Sequence, residues 1–197
     1  MAKTMSGQKA VTPSADGIAE AVRASKSRGL PPVHLWTPPF CGDLDMRIAR
    51  DGTWYYQGSP ITRPQLVRLF SSILKLEDDK YVLVTPVEKV GITVDDAPFV
   101  ATDVEVTGAG QDQVLEFTTH VDDTAIAGPE HPIRVVQDPE TEEPAPYVMI
   151  RAGLEALIDR KTFYRLVDLG EDHDGWFGIW SSGTFFRIIP SEALDGL

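Results

Sequence analysis

Apolar and polar residues alternate between positions 44 and 57 in the way that half-buried β-strands do. An Asp51-Gly52 pair, which favours a two-residue turn, separates the two alternating runs. Apolar residues then recur every three or four positions from Leu66 to Leu74, as on an amphipathic helix. The apolar positions of the first run are Leu44, Met46 and Ile48. The pattern therefore predicts a β-hairpin followed by a helix.

The same order of elements returns near the C-terminus. Tyr147–Arg151 and Leu154–Ile158 predict a second hairpin, and Arg160–Leu169 predicts a second helix. The helices read RPQLVRLF from Arg63 and RKTFYRLV from Arg160, an offset of 97 residues with three identical positions. Two further strands are predicted after each helix. This matching order indicates an internal duplication.

The chain is therefore predicted to have an α+β fold with two tandem, related halves, each an antiparallel sheet with a helix packed on it. Residues 1–28 are predicted to be a flexible or helical N-terminal segment, 29–95 the N-terminal half and 96–197 the C-terminal half. Leu30–Phe40 holds four prolines, which excludes a helix and predicts an extended arm. Asp138–Pro146 is acidic and proline-rich and is predicted to be an exposed loop. The side chains expected to pack the arm onto the sheet are Val33, Leu35, Trp36 and Phe40.

The charge of the chain narrows the choice of partners. The net charge is −12, and residues 95–143 hold 13 acidic residues against one basic residue, Arg134. A nucleic-acid-binding protein needs the opposite sign, so nucleic acid is not expected as a partner. No apolar run reaches the length of a membrane span, and the single cysteine, Cys41, fits a reducing cytoplasm. We expect a cytoplasmic protein with no membrane partner.

Several charged side chains stand in segments that otherwise resemble core. Unpaired burial would cost several kcal/mol each, so they either pair with one another at the junction of the halves or face a ligand. On the second hypothesis Lys89 and Arg151 converge on an anion such as a phosphate, which arginine contacts at two points. The predicted ligand-binding residues are Trp36, as a stacking surface, with Asp45, Arg47, Arg63, Glu88, Lys89, Arg134 and Arg151.

Catalytic chemistry has weaker support. Cys41 with His34 and Asp43 contains the residue types of a nucleophilic triad, but no nucleophile elbow surrounds the cysteine. A packing role in the core is the preferred interpretation of Cys41. Asp43 and Asp45 share a strand face without a third ligand, so no metal site is predicted. The sequence contains no P-loop and no G-x-G-x-x-G fingerprint, so it does not identify a cofactor.

The runs PPVHLWTPPFCGDLDMRIARDGTWYYQGSPITRPQLVRLF and YVLVTPVEKVGITVDDAPF resemble a bacterial family known as domain of unknown function 1285. The likeness extends from about Gly29 to Pro190. It implies a domain duplication with a C-terminal half like a pleckstrin-homology domain. It also implies a nucleotide-type ligand between the domains and a signalling role, without an established activity and without catalytic residues.

Three function classes stay open. The leading one is a ligand-sensing or signal-transduction module that binds a small anionic, nucleotide-like ligand between its halves. The second is a non-enzymatic scaffold whose acidic middle segment docks a basic protein partner. The third, an enzyme of hydrolase type using carboxylates or Cys41, is the least favoured.

Overall fold

The first of three sheets is built from residues 40–94 in this computed structural model, which describes residues 13–24, 29–137 and 143–196. Its strands are β1 (Phe40–Ile48), β2 (Trp54–Tyr56), β3 (Ser59–Pro60), β4 (Leu74–Glu77), β5 (Lys80–Val84) and β6 (Lys89–Val94). Their order in the sheet is β3-β2-β1-β6-β5-β4. β1 and β6 run parallel, and the other neighbours run antiparallel.

A second six-stranded sheet and a three-stranded sheet contain the other strands of the described residues. The second contains β7 (Phe99–Thr107), β8 (Val114–Thr119), β9 (Thr124–Ile126), β10 (Ile133–Gln137), β11 (Pro144–Arg151) and β12 (Leu154–Ile158). The third contains β13 (Glu171–His173), β14 (Trp176–Ser181) and β15 (Thr184–Pro190). The strand orders are β10-β11-β12-β7-β8-β9 and β13-β14-β15. The α-helices within the described residues are α1 (Ala15–Ala24), α2 (Pro64–Ser72) and α3 (Arg160–Asp168).

The predicted duplication is confirmed. The hairpin β1-β2, helix α2 and meander β4-β5-β6 are repeated in order as β11-β12, α3 and β13-β14-β15. The protein has the predicted α+β fold with two related halves. The six-stranded sheets are mixed rather than antiparallel as predicted, because β1 runs parallel to β6 and β12 runs parallel to β7. The curled second sheet fits a barrel of the pleckstrin-homology type. Each repeat also contains a short strand, β4 or β13, directly after its helix, which the apolar pattern did not predict.

The two repeats differ in how the last strand is placed. In the first repeat β6 lies beside β1 and completes the sheet. In the second, the corresponding edge of β11 is taken by β10, which pairs with it antiparallel from Ile133 to Gln137. The second meander therefore forms its own sheet, and β15 lies against β10 without joining its ladder. An open seam between β10 and β15 results.

One continuous core joins the halves. Trp54 and Phe70 of the first half stack with their ring centroids 6.1 Å apart, and they belong to the same cluster as Phe99 and Phe117 of the second. Helix α1 adds Ile18 and Val22 to this cluster. A shared core of this kind means that the halves are held by hydrophobic burial as well as by polar contacts.

Some predicted details are wrong. Leu35 and Phe40 are 70% and 54% exposed and do not pack the arm onto the sheet, although Val33 and Trp36 do. The arm is also not extended throughout, because Val33–Leu35 form a short 3-10 helix. The predicted acidic loop ends earlier than expected, because residues 144–146 belong to β11 and Ala145 and Pro146 are buried. Its residues 138–142 lie outside the described part of the chain, as do 1–12 and 25–28 of the predicted N-terminal segment. Within the described ranges, no helix is long and apolar enough to cross a membrane.

Candidate functional site

A cleft of about 340 Å³ opens where the two halves meet, and we call it the interface cleft. The first half contributes Arg50, from the turn between β1 and β2. The second half contributes the start of β11, the end of β12 and the first turn of α3. The lining residues are Arg50, Glu143, Pro144, Ala145, Pro146, Leu157, Ile158, Asp159, Arg160, Phe163 and Tyr164.

The first turn of α3 positions Arg160 at this cleft. Asp159 is the N-cap, and its Oδ1 accepts a hydrogen bond of 2.7 Å from the backbone N–H of Thr162. Arg160 Nε donates to the Tyr164 hydroxyl, 2.8 Å away and one helical turn later. This hydrogen bond raises the pKa of Arg160. The guanidinium is therefore held against an aromatic ring rather than left to move freely.

A polar network holds Arg50 against the second half. Arg50 Nε lies 3.3 Å from Asp96 Oδ2, and the Tyr147 hydroxyl donates to Asp96 Oδ1 over 2.8 Å. The Arg134 guanidinium stacks over the Tyr147 ring, 4.2 Å from its centroid. Burial is the largest cause that raises the pKa of Tyr147 to about 12, and the hydrogen bond to Asp96 is the second largest. The network ties the turn of the first hairpin to β11 and so fixes one wall of the interface cleft.

An apolar groove of about 810 Å³ adjoins the interface cleft. It lies at the seam between β10 and β15 and is closed on one side by α3. Pro144 and Phe163 line both the groove and the cleft, so the two spaces share a wall. The groove is lined by Val135, Gln137, Pro144, Phe163, Val167, Trp176, Phe177, Ile188, Ile189, Pro190 and Ala193.

Four of the predicted ligand-binding residues form ion pairs. Arg134 makes a two-point contact with Glu155, at 2.7 Å from Nε and 2.6 Å from Nη2. Arg47 pairs with Asp95 at 2.5 Å. Lys89 pairs with Glu77. Hydrogen bonds lower the pKa of Glu77, the larger effect coming from Lys89 and the smaller from Lys75. Arg151 pairs with Asp123. Lys89 and Arg151 thus have different acidic partners and are not brought together in one cleft.

The other predicted residues are dispersed. Asp45 and Arg47 line a shallow groove of about 240 Å³ on the outer face of β1. Arg63 lines another groove, of about 590 Å³, with two further arginines, Arg23 and Arg68. Glu88 is half-buried in the turn before β6, and its carbonyl accepts from the backbone N–H of Thr85. Trp36 is half-buried against the core. None of the eight predicted residues lines the interface cleft.

The sequence-based hypothesis missed Arg50 and Arg160. The sequence holds one signal for Arg160, because the alignment of the repeats places it opposite Arg63, which is among the predicted ligand-binding residues. Arg50 carries no such signal, since a basic residue beside a hairpin turn is ordinary. Its position at the cleft depends on Asp96, 46 residues further along the chain.

The packing role predicted for Cys41 is wrong. Cys41 is exposed on β1, and its Sγ lies 3.6 Å from the carbonyl oxygen of Pro39. The strand pattern places it on the exposed end of β1, before the buried positions begin at Leu44. Among the residues that the structure describes, no three His, Cys, Asp or Glu side chains are grouped so that they can hold a metal ion.

His120 lies at the junction of the halves. Its Nδ1 accepts the backbone N–H of Val100 at 3.2 Å, and its Nε2 faces Gly52 of the first hairpin turn. Burial is the largest influence on His120 and lowers its pKa, although nearby Asp123 and Asp51 act in the opposite direction. The imidazole is therefore neutral in the folded protein near pH 7.

We expect stability to fall as the pH drops from about 7 toward the lowered pKa of His120. The unfolded histidine takes up a proton near pH 6.5 while the folded one does not, so protonation stabilises the unfolded state relative to the folded one by up to about 1.4 kcal/mol per pH unit. Urea unfolding of the wild type and a His120→Asn variant, whose Oδ1 can accept the same N–H, measures this at pH 5.5, 6.5 and 7.5. Equal pH slopes for both proteins would show that His120 does not contribute.

Comparison with known proteins supplies the family. Residues 31–97 match the N-terminal domain model of the domain of unknown function DUF1285, and residues 98–188 match the C-terminal domain model of the DUF1285 protein of unknown function. A search of curated proteins found no match.

Two solved structures are similar to this chain. A DUF1285 family protein from Silicibacter pomeroyi DSS-3 is 70% identical with a TM-score of 0.87, over 92% of this chain and 100% of that one. A DUF1285 family protein from Shewanella baltica OS155 is 27% identical with a TM-score of 0.50, over 64% of this chain and 91% of that one. The two family models together span the described halves, and the chain belongs to the DUF1285 family.

Proposed function

We propose that this protein is a ligand-sensing module that binds a small anionic ligand in the interface cleft. The observation that carries the proposal is the pair of arginines there, Arg50 from the first half and Arg160 from the second. An anion held by both would contact both halves at once. Its binding free energy would then favour one arrangement of the halves, which is the physical basis of a sensor.

The lining of the cleft constrains the charge of the ligand. Guanidinium groups bind carboxylate and phosphate oxygens at two points. Asp159 and Glu143 also line the cleft, so the formal charges of its ionisable side chains cancel. A ligand with one or two negative charges fits this lining better than a polyanion. The half-exposed ring of Tyr164 beside Arg160 offers a surface for a planar group, as in a nucleotide-like ligand.

The proposal is tested by unfolding the protein with a panel of nucleotides, sugar phosphates and small carboxylates. A ligand at about one hundred times its dissociation constant is expected to add about 2.7 kcal/mol to the free energy of unfolding. Arg160→Ala is expected to remove that gain at little cost in stability, because its side chain is exposed.

Arg63→Ala is the matched control, since Arg63 occupies the equivalent place in the first repeat but lies outside the cleft. It is expected to respond to the ligand as the wild type does. If Arg63→Ala loses the response and Arg160→Ala keeps it, the anion binds in the arginine groove at α2 instead. If no compound stabilises the wild type, the scaffold hypothesis takes precedence.

A further inference from the structure

The interface cleft and the apolar groove lie next to each other along a single face of α3 and have Pro144 and Phe163 as common lining residues. Arg160 and Phe163 line the cleft, and Phe163 and Val167 line the groove. These positions are three and seven residues apart, so they lie on one stripe of the helix. The stripe is basic at its first turn and apolar beyond it. The space next to it therefore changes from polar to apolar in the same direction.

The groove has the properties of a ligand site for an apolar chain. Most of its walls come from half-buried or buried side chains, among them Trp176, Phe177 and Ile188. Ligand pockets are mostly concave and apolar with few polar groups, and this lining has that composition. The seam stays open because β10 blocks the place where β15 would otherwise join the sheet. At the cleft end, the exposed Arg160 guanidinium offers a partner for a negative head group.

We infer that the ligand is an amphipathic anion, with a carboxylate or phosphate head at Arg160 and a linear alkyl or acyl chain in the apolar groove. This inference rests on the proposed function, because it uses the same anion site and adds the chain. From Arg160 to Val167 the helix rises about 10 Å. A chain of about eight carbons spans that distance, at roughly 1.25 Å per carbon along an extended chain of 1.52 Å bonds. Shorter chains would leave part of the stripe uncovered.

The test is a calorimetric titration of the whole protein with straight-chain carboxylates from acetate to decanoate, below their micelle concentrations. Each buried methylene is expected to raise the affinity about fourfold, which corresponds to about 0.8 kcal/mol, until about eight carbons are reached. Arg160→Ala is expected to weaken every member of the series by at least about tenfold, because the charge-assisted hydrogen bonds are lost. Decyl phosphate and decanoate are then compared directly, and the one that binds more tightly identifies the head group.

Two tryptophan substitutions separate the groove from the rest of the surface. Val167→Trp fills the groove and is expected to abolish the dependence on chain length while acetate still binds. Val136→Trp adds the same bulk to β10 at an exposed position outside the groove lining and is expected to keep the dependence. The chain-length series of the wild type decides the question even if Val167→Trp does not fold.

Each remaining outcome contradicts a specific part of the inference. Short anions that bind through Arg160 with no gain from added methylenes would overturn the apolar chain and leave the proposed function standing. Long chains that bind equally well as alcohols, with no loss in Arg160→Ala, would overturn the anionic head of this inference, while the nucleotide panel still tests the proposed function. No binding of any carboxylate or alkyl phosphate would overturn this inference, while the nucleotide panel still tests the proposed function.

Discussion

Replacing Arg151 with alanine is expected to lower the free energy of unfolding by about 3 kcal/mol, because the substitution leaves a mostly buried carboxylate without its partner. The side chains of Arg151 and Asp123 are 21% and 19% exposed. Arg151 Nη2 also donates to the carbonyl oxygen of Ser71, at 2.7 Å, near the C-terminal end of α2. Its guanidinium lies 4.9 Å from the centroid of the Phe99 ring. One side chain therefore joins the first half to two elements of the second.

Arg68→Ala is the matched control for this prediction. Arg68 pairs with Asp122, the neighbour of Asp123, but the two side chains are 50% and 61% exposed. Exposed pairs contribute about 0–1 kcal/mol, so this variant is expected to stay close to the wild type. Urea unfolding of both variants at pH 7 measures the difference. If Arg151→Ala is no less stable than Arg68→Ala, Arg151 is not structural and its earlier assignment to ligand binding regains support.

Gly52→Ala is expected to cost about 2–4 kcal/mol, the sum of backbone strain and overpacking. Gly52 has a φ of +84°, where an alanine is strained. A Cβ there would also lie 3.0 Å from His120 Nε2 and 3.2 Å from two ring carbons. The imidazole cannot simply rotate away, because its Nδ1 holds the backbone N–H of Val100. The turn of the first hairpin would have to separate from the second half.

Gly58→Ala isolates the backbone strain. Gly58 has a φ of +75°, and a Cβ there would meet nothing within 4 Å. We expect this variant to lose only the strain, about 1–2 kcal/mol, and the excess in Gly52→Ala to be recovered in part by a second substitution, His120→Ala. Thermal unfolding of the three variants compares these effects. Equal losses at Gly52 and Gly58, with no recovery, would mean that the contact between Gly52 and His120 does not hold the halves together.

Both predictions concern contacts between the halves, and they bear on the proposed function. His120 and Asp123 lie in or next to the turn after β8. Arg50 and Gly52 lie in the turn of the first hairpin, and Asp96 lies in the segment between β6 and β7. A ligand that contacts Arg50 and Arg160 would act on the same junction. Variants at Arg151 or Gly52 therefore also show how much stability the junction holds without a ligand.

The local order of elements was available from the sequence. Alternation at Leu44, Met46 and Ile48 predicted a strand that the structure places with these side chains buried. A face of apolar residues predicted α2 and α3, and their alignment predicted the duplication. These predictions succeed because the periods of strand and helix are local properties, which the apolar pattern records directly.

The partners of each strand and each charge were decided by the tertiary structure. The apolar pattern shows which face of a strand is buried, but it does not show that β10 occupies the edge of β11 and leaves the seam open. Charges in apolar segments correctly indicated that Arg151 needs a partner, yet Asp123 is 28 residues away and Ser71 is 80. Arg50 and Arg160 come from opposite halves, 110 residues apart, and they line one cleft because the core packs the two halves together. Periodicity is a property of neighbouring residues, whereas a cleft depends on which distant surfaces pack together, and that is determined by the burial of the whole chain.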